Sequence, residues 1–526
     1  METPAPLVIS GGRIWTMDDD LPRVEALVIE NGRITAAGTE STIGHQLPRD
    51  ADRLDLHGRI ALPGFIDAHT HLFHYGTDRL FRIDLGGTTS IPEALALVKE
   101  RMRRGVDSRW VVAVDFDESR WAERRYPTKA ELDSISDGRP LVLRRVDGHM
   151  AVANTPALHE LAPESSPAWA AGILGREAIR ALAEATRPST GEMEAALGES
   201  LRRMLALGVT SVHDIVGERG VKLYRQRERS GSLPLRVALL VIAEEFPAVA
   251  VDVEGGEGPL RTPFLRFAGV KIWADGSLGA RTAALMAPYA DEPTTSGRLY
   301  QDSGALEAEL ERHATDGRAT AVHAIGDRAV ARVLAAHERL AADWAGAPHR
   351  IEHMEVVNEG LIARARTAGI TASLQPNFVA NWSMPGGMNW HRLGQQRGPW
   401  CDPLGSIHAA GIPIAFGSDT MPPSPLFGLQ AALAHPVPEQ RMNAVSAVAA
   451  YTRGGAESIG AGDELGRLAP GLWGDVVVLS GDPFTTPRID RLSVEATIVG
   501  GVLRYRRIGE GTIEVAGAPS DGPEAP

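Results

Sequence analysis

From about residue 63 to residue 463, short apolar runs alternate with helical stretches, and this alternation constrains the fold more than any other feature. The strand-like runs lie at 64–68, 110–114, 141–146, 210–215, 235–242, 267–274, 320–324, 350–355, 371–374 and 413–417. Helical stretches include 91–104, 192–207, 304–316, 327–344, 359–367 and 426–434. Such alternation predicts a parallel sheet with helical crossovers, and its length suits an α/β fold, a (β/α)8 TIM-like barrel with insertions. Ten strand candidates compete for the eight places of such a barrel. Two must lie in excursions, and the stretch 75–140, which separates the first strand from the rest, is a source of one.

The two ends have a different texture. Ala26-Leu-Val-Ile-Glu30 and Arg33-Ile-Thr-Ala-Ala37 flank Asn31-Gly32, the strongest short hairpin signal. Near the other end, Asp475-Val-Val-Val-Leu479, Glu495-Ala-Thr-Ile-Val499 and Val502-Leu-Arg-Tyr505 repeat the pattern. Neither end carries enough apolar residues for a stable sheet of its own. The expectation is one small composite β-sandwich built from residues 1–62 with 464–508, a barrel over 63–463, and a disordered tail over 509–526, where Gly, Pro, Ala and acids dominate.

Composition narrows the function. Asp plus Glu outnumber Lys plus Arg by 67 to 54, a formal charge of −13, which argues against a nucleic-acid partner. No apolar run reaches membrane-spanning length and no leader pattern opens the chain, so no membrane partner is expected. The single cysteine, Cys401, forms no intramolecular disulfide, which fits a cytoplasmic protein.

Chemistry-bearing residues sit at the ends of the apolar runs. Residues 64–68 lead into His69-Thr-His71, and on a strand positions i and i+2 share a face. Two further runs end in His323 and His353, and another in Asp419. Parallel barrels gather their active sites at the C-terminal ends of strands. Four imidazoles and a carboxylate would thus converge on one rim, a donor set for zinc or a similar first-row metal. Lys271 ends an apolar segment, where an ammonium is costly; it either snorkels, pairs with Asp275, or serves the same site.

As a set, Gly64-Phe-Ile-Asp-Ala-His-Thr-His71, Val270-Lys-Ile-Trp-Ala-Asp-Gly-Ser-Leu-Gly-Ala-Arg-Thr-Ala283, His323-Ala-Ile-Gly-Asp-Arg328, Arg350-Ile-Glu-His353 and Gly417-Ser-Asp419 resemble the amidohydrolase superfamily. Within it, they are similar to the branch of YtcJ-like and N-substituted formamide deformylase-like enzymes, amidohydrolase family 3. The resemblance implies a metal-dependent hydrolase of small-molecule amides. It implies His69 and His71 on one metal, His323 and His353 on a second, a carbamylated Lys271 bridging, and Asp419 on the first. Zinc is the expected ion; iron, manganese and cobalt suit the same donors. The implied reaction is cleavage of a linear amide- or formamide-type C–N bond by metal-activated hydroxide, with Asp419 as general base and then acid. A cyclic amide, an ester or lactone, or an inactive metal-binding regulatory homologue remain the alternatives.

Substrate-side expectations are Asp147 and His149, which follow the run 141–146, and Asp275 and Arg281, which follow Lys271. His213-Asp214 reads as a hydrogen-bonded pair behind the ligands, and Glu352 as structural, since it faces away from His353. The stretch 376–406 reads as a long irregular loop with Trp382, Trp390 and Trp400. Long loops are uncommon unless functional or disordered. It is expected to form an aromatic lid, with Trp382 and Trp390 against the substrate; the other reading is a homo-oligomer interface.

Overall fold

The computed structural model describes residues 5–44, 48, 50–105, 108–162, 164, 166–255, 260–301, 303–340, 348–508 and 512–514. Eight strands form one parallel sheet in chain order: β1 (Phe65–Thr70), β2 (Val209–Val216), β3 (Arg236–Ile242), β4 (Leu265–Trp273), β5 (Thr320–Ala324), β6 (Arg350–His353), β7 (Thr371–Leu374) and β8 (Ile414–Phe416). Every residue of β1, β2, β5 and β6 is buried. Strands covered on both faces need such near-continuous apolar sequence. Side chains and strand exits bring β8 back to β1. Asp67 accepts hydrogen bonds from Ser418 N (2.8 Å) and Ser418 Oγ (2.5 Å), and Asp419 N donates to the His69 carbonyl (2.8 Å). Gly417 is needed at this seam, because a Cβ there would lie 2.5 Å from His69 N.

The two surplus strand candidates, 110–114 and 141–146, lie in a separate five-stranded sheet inserted between β1 and β2. Its strands are Ile83–Asp84, Val111–Phe116, Leu141–Arg145, Ala151–Ala153 and Ile173–Leu174. The strand at 110–114 comes from the stretch 75–140, as expected, and the second, at 141–146, belongs to the same insertion, which runs on to residue 174. Both strands are apolar on two faces, one packed on Phe116, Trp121 and Leu143, the other on Val112, Val142 and Leu158. Local sequence carries nothing that says which sheet such a strand joins.

The chain ends share two facing sheets. One holds Leu7–Ser10, Ala26–Glu30, Arg33–Gly38 and Asp52–Asp55. In the other, Ile60–Pro63 pairs antiparallel with Val476–Leu479, so the beginning and end of the chain meet in one ladder. Ile9, Ile14, Leu27, Ile29, Val476 and Ile498 pack between the sheets, each contributing about 1.5–3 kcal/mol by leaving water. Buried Arg236 at the start of β3 grips Asp475 through two hydrogen bonds of 2.7 and 2.8 Å, joining this unit to the barrel. Thr512–Glu514 form a last strand against Val502–Ile508, which overturns the expectation of disorder there. Backbone pairing needs no apolar composition, so the sequence gives little sign of it. The remaining residues of that expected tail, 509–511 and 515–526, lie outside the described residues.

The stretch 376–406 is not an irregular loop. It folds into helices Pro376–Trp382, Met388–Arg397 and Leu404–Ala409. Its prolines and glycines are helix punctuation: Pro376 opens a helix, Gly387 precedes one, and Gly394 breaks one with φ 78°. No helix among the described residues is long and apolar enough to cross a membrane.

Candidate metal centre

β1 delivers His69 and His71 to the C-terminal end of the barrel, β4 delivers Lys271, β5 His323, β6 His353, and the exit of β8 Asp419. One nitrogen each of His69 and His71 and one oxygen of Asp419 lie within 4.8 Å of one another. His71 Nε2 is 3.1 Å and His69 Nε2 3.6 Å from Asp419 Oδ1. The His353 ring lies 4.8 Å from that of His69 and 4.5 Å from that of His323, centroid to centroid. His353 (φ 71°) and Asp419 (φ 51°) both hold the left-handed backbone conformation, an uncommon state that costs about 1 kcal/mol and turns each side chain out of the strand's alternation.

Tautomers follow from the partners. His69 Nδ1 donates to Glu352 Oε2 at 2.5 Å, leaving Nε2 as a free acceptor. His323 Nε2 donates to the Gly276 carbonyl at 3.1 Å, leaving Nδ1. His353 Nδ1 is buried without a hydrogen bond. Burial, and then the nearby Lys271 ammonium, push His69 down to about 4. Burial also lowers His323 and His353, with Lys271 adding to the effect in each. All three are neutral imidazoles at ordinary pH, the form that ligates a metal. Burial raises the Asp419 carboxyl, but the imidazoles of His69 and His71 outweigh it and hold the group ionised.

Lys271 is fully buried, and its Nζ has no hydrogen-bond partner. Burial lowers its pKa to about 8, with Glu352 and Asp419 opposing. The alternative of a Lys271–Asp275 pair is not formed. Asp275 instead accepts backbone N–H groups of Ala284 (2.8 Å), Ile325 (3.0 Å) and Gly326 (2.9 Å). An unpartnered buried ammonium beside imidazoles with free acceptor nitrogens is costly as it stands. Imidazole nitrogens and a carboxylate gathered in this way suit a metal site.

The centre opens into a cavity of about 990 Å³, whose wall includes Asp147, His149, Trp273, Trp382, Met421 and Phe427. Asp147 is held by Arg145 Nη1 (2.8 Å) and Ser277 Oγ (2.7 Å). His149 Nδ1 is 3.3 Å from Tyr300 Oη. Trp382 packs edge-on to Phe378 and donates Nε1–H to Asp117 at 3.0 Å. Three expected substrate contacts stand elsewhere. Arg281 is paired with Asp291 at 2.8 Å and is not among the residues lining the cavity. Asp275 accepts from the three amides and lies 3.6 Å from His323 Nε2, and Trp390 donates Nε1–H to the Ser383 carbonyl; neither is among the residues lining the cavity. All three follow a correctly placed residue in sequence, but turns redirect them.

Sequence reasoning placed His213-Asp214 behind the ligands but missed Arg350 and the role of Glu352 in that layer. Glu352, read as structural, meets His69 Nδ1. Arg350 binds Glu352 (2.5 and 3.2 Å), His213 Nδ1 (2.8 Å) and the Ala68 carbonyl (2.5 Å). The signal was present: Arg350 and Glu352 are i and i+2 on one strand, hence side by side on one face. Asp214, expected behind the ligands, accepts from Thr70 Oγ1 (3.0 Å), Leu72 N (2.8 Å) and Tyr224 Oη (2.7 Å), so it fixes the turn that carries His71.

The model of the amidohydrolase family matches residues 52–505. YtcJ of Bacillus subtilis, a protein named as an amidohydrolase, is 30% identical over 94% of this chain and 99% of its own length. The N-substituted formamide deformylase of Arthrobacter pascens is 26% identical over 96% of this chain and 99% of its own. Among solved structures, an uncharacterized metal-dependent hydrolase from Pyrococcus furiosus superposes with a TM-score of 0.74 at 30% identity, covering 91% of this chain and 100% of that one. The chain belongs to the amidohydrolase family and is a hydrolase.

Proposed function

We propose that the chain is a metal-dependent hydrolase that cleaves a linear amide- or formamide-type C–N bond in a small molecule. One observation carries this function: a buried Lys271 Nζ without a hydrogen-bond partner, set among three neutral imidazoles and an ionised Asp419. His69, His71 and Asp419 would hold one divalent ion and His323 and His353 the other, with carbamylated Lys271 between them. The ammonium first gives up one proton, and carbamylation then joins the free amine to CO2 and releases a second, so a buried cation becomes an anion. Zinc suits the donors, as would iron, manganese or cobalt. Bound ions would supply a water that ionises near neutral pH and an electrophile for the carbonyl oxygen.

The chain's own residues do the rest. Asp419, ionised and partly open to the cavity, accepts a proton from the attacking water and passes it to the leaving nitrogen. Glu352 fixes the His69 tautomer through Nδ1. Asp147 and His149 stand on the wall where the substrate's polar groups would bind, and Trp382 screens the site from water and favours an apolar substituent. The likeness to a formamide deformylase supports a C–N bond as the target.

Metal analysis and a panel of N-substituted formamides, N-acyl amines and esters test this. The expected result is up to two ions per chain, turnover of the amides, and loss of turnover on chelation. A protein reconstituted with zinc, manganese or cobalt that retains no ion, or that cleaves only esters, would overturn it.

A further inference from the structure

Beside the large cavity, and sharing Asp147, His149, His323, His353, Trp382, Asp419 and Met421 with it, lies a small recess of about 40 Å³. Its far wall holds two buried polar groups that no step above employs, Glu355 and Asn389. They are 5% and 1% exposed. Phe378, Trp382 and Met388 make the apolar sides.

The orientation of Asn389 is fixed by its neighbours. Ser383 Oγ gives its only proton to Asp402 Oδ2 (2.5 Å), so it must accept from Asn389 Nδ2 (2.9 Å). The same Nδ2 lies 3.3 Å from Cys401 Sγ. Asn389 Oδ1 is left buried with no partner. That unsatisfied acceptor is costly unless something supplies a donor.

Charge points the same way. Four acids around the recess are matched by four guanidinium groups: Arg145 binds Asp117, Glu118 and Asp147, Arg392 binds Glu118 and Asp291, Arg281 binds Asp291, and Arg120 binds Asp117. Glu355 and Asp402 stand apart from these pairs. Their carboxylate oxygens approach within 4.8 Å of each other and of Cys401 Sγ. A metal ion among these three is disfavoured, because Ser383 Oγ and Asn389 Nδ2 turn hydrogens towards them. Glu355, Asn389, Phe378 and Trp382 line the same recess.

We propose that Glu355 and Asn389 form an ammonium-recognising subsite for the acyl side of the substrate. Glu355 and Asn389 Oδ1 accept N–H bonds, and the aromatic walls add cation–π attraction. The recess adjoins His323, His353 and Asp419, where the scissile carbonyl would sit, and has room for only one or two heavy atoms beyond it. The 990 Å³ cavity takes the bulkier N-substituent. The favoured substrate is thus an amide of a small amino acid, such as a glycyl amide, rather than an uncharged acyl amide of the same size. The subsite rests on the amide-hydrolase function proposed above.

The test compares glycyl and propionyl amides of one amine, nearly equal in size and differing in the ammonium. On the metal-replete enzyme, kcat/KM for the glycyl amide should exceed that for the propionyl amide at least tenfold, and in E355Q the ratio should fall to within about threefold of one, whatever the absolute rates. Binding of n-propylammonium, read by ligand-observed NMR without turnover, should be displaced by the glycyl amide and lost in E355Q and N389L. Turnover of both amides with no wild-type preference would sink the subsite and leave the hydrolase function standing. Propylammonium binding that depends on Glu355, without cleavage of either amide, would support the subsite and sink the amide-hydrolase function. Propylammonium binding undiminished in both variants would also overturn the subsite.

Discussion

Two layers of the barrel mouth, one behind the other, treat buried charge in opposite ways. In the inner layer Arg350, 1% exposed, has Glu352, His213, Ser458 Oγ and the Ala68 carbonyl around it. In the outer layer Lys271, 0% exposed, has no hydrogen-bond partner and only the Trp273 ring at 5.4 Å, and His353 Nδ1 is buried without a hydrogen bond. The inner layer is a dense hydrogen-bond network in which Arg350 and Glu352 are fully engaged while His213 Nε2 has no partner, and such networks rigidify what they touch. The outer layer holds its groups in position with Lys271 Nζ and His353 Nδ1 making no hydrogen bond. Where a protein satisfies one layer and not the next, the unsatisfied one is kept for something the chain does not encode.

The largest expected effect breaks the outer layer. Lys271→Met or Asp419→Asn should lower kcat/KM at least a thousandfold, since each removes a metal-binding anion or the proton carrier. Thermal unfolding of the metal-free variants should stay close to wild type or, for Lys271→Met, improve, because an unpaired buried cation is gone. A Lys271→Met enzyme of near-normal rate would refute the bridging role.

Breaking the inner layer should act differently. Glu352→Gln strands Arg350 and loosens His69, so urea unfolding should show a loss of about 3–5 kcal/mol. Metal affinity should fall about 10–100-fold. Loss of affinity without loss of stability would show that the two layers are not mechanically separate.

pH sharpens the contrast in the metal-free protein. His69 is lowered from its ordinary value near 6.5 to about 4, so between those values the unfolded chain binds more protons. The stability this gives is present above pH 6.5 and is lost as pH falls through 4. Lys271 is lowered from 10.5 to about 8. Between pH 8 and 10.5 the unfolded chain again holds the extra proton, so stability should rise with pH across that window. Denaturant titrations should show this rise in wild type and a flatter profile in Lys271→Met.

Smaller effects belong to the surroundings. Trp382→Ala should raise KM several-fold for bulky N-substituents and little for small ones; equal KM values would remove its role as a screen. Arg281→Ala should change kcat/KM less than threefold and stability less than about 1 kcal/mol, as expected for a partly exposed pair with Asp291.

Much of this molecule was written in its sequence. Polar donors at the ends of apolar runs announced the barrel and the rim where they gather, because an imidazole or carboxylate closing a buried strand is costly and rarely placed there by chance. The partnership of the two chain ends was also legible, from strand patterns too poor to stand alone. Only the tertiary structure could say which apolar runs close the barrel, since those at 110–114 and 141–146 are equally apolar and join another sheet. It alone turned Arg281 outward, spent Asp275 on three backbone amides, folded 376–406 into helices, and set Glu352 behind His69. Each of these depends on where a turn sends the chain and which distant group is waiting there, and local residue patterns carry no record of that meeting.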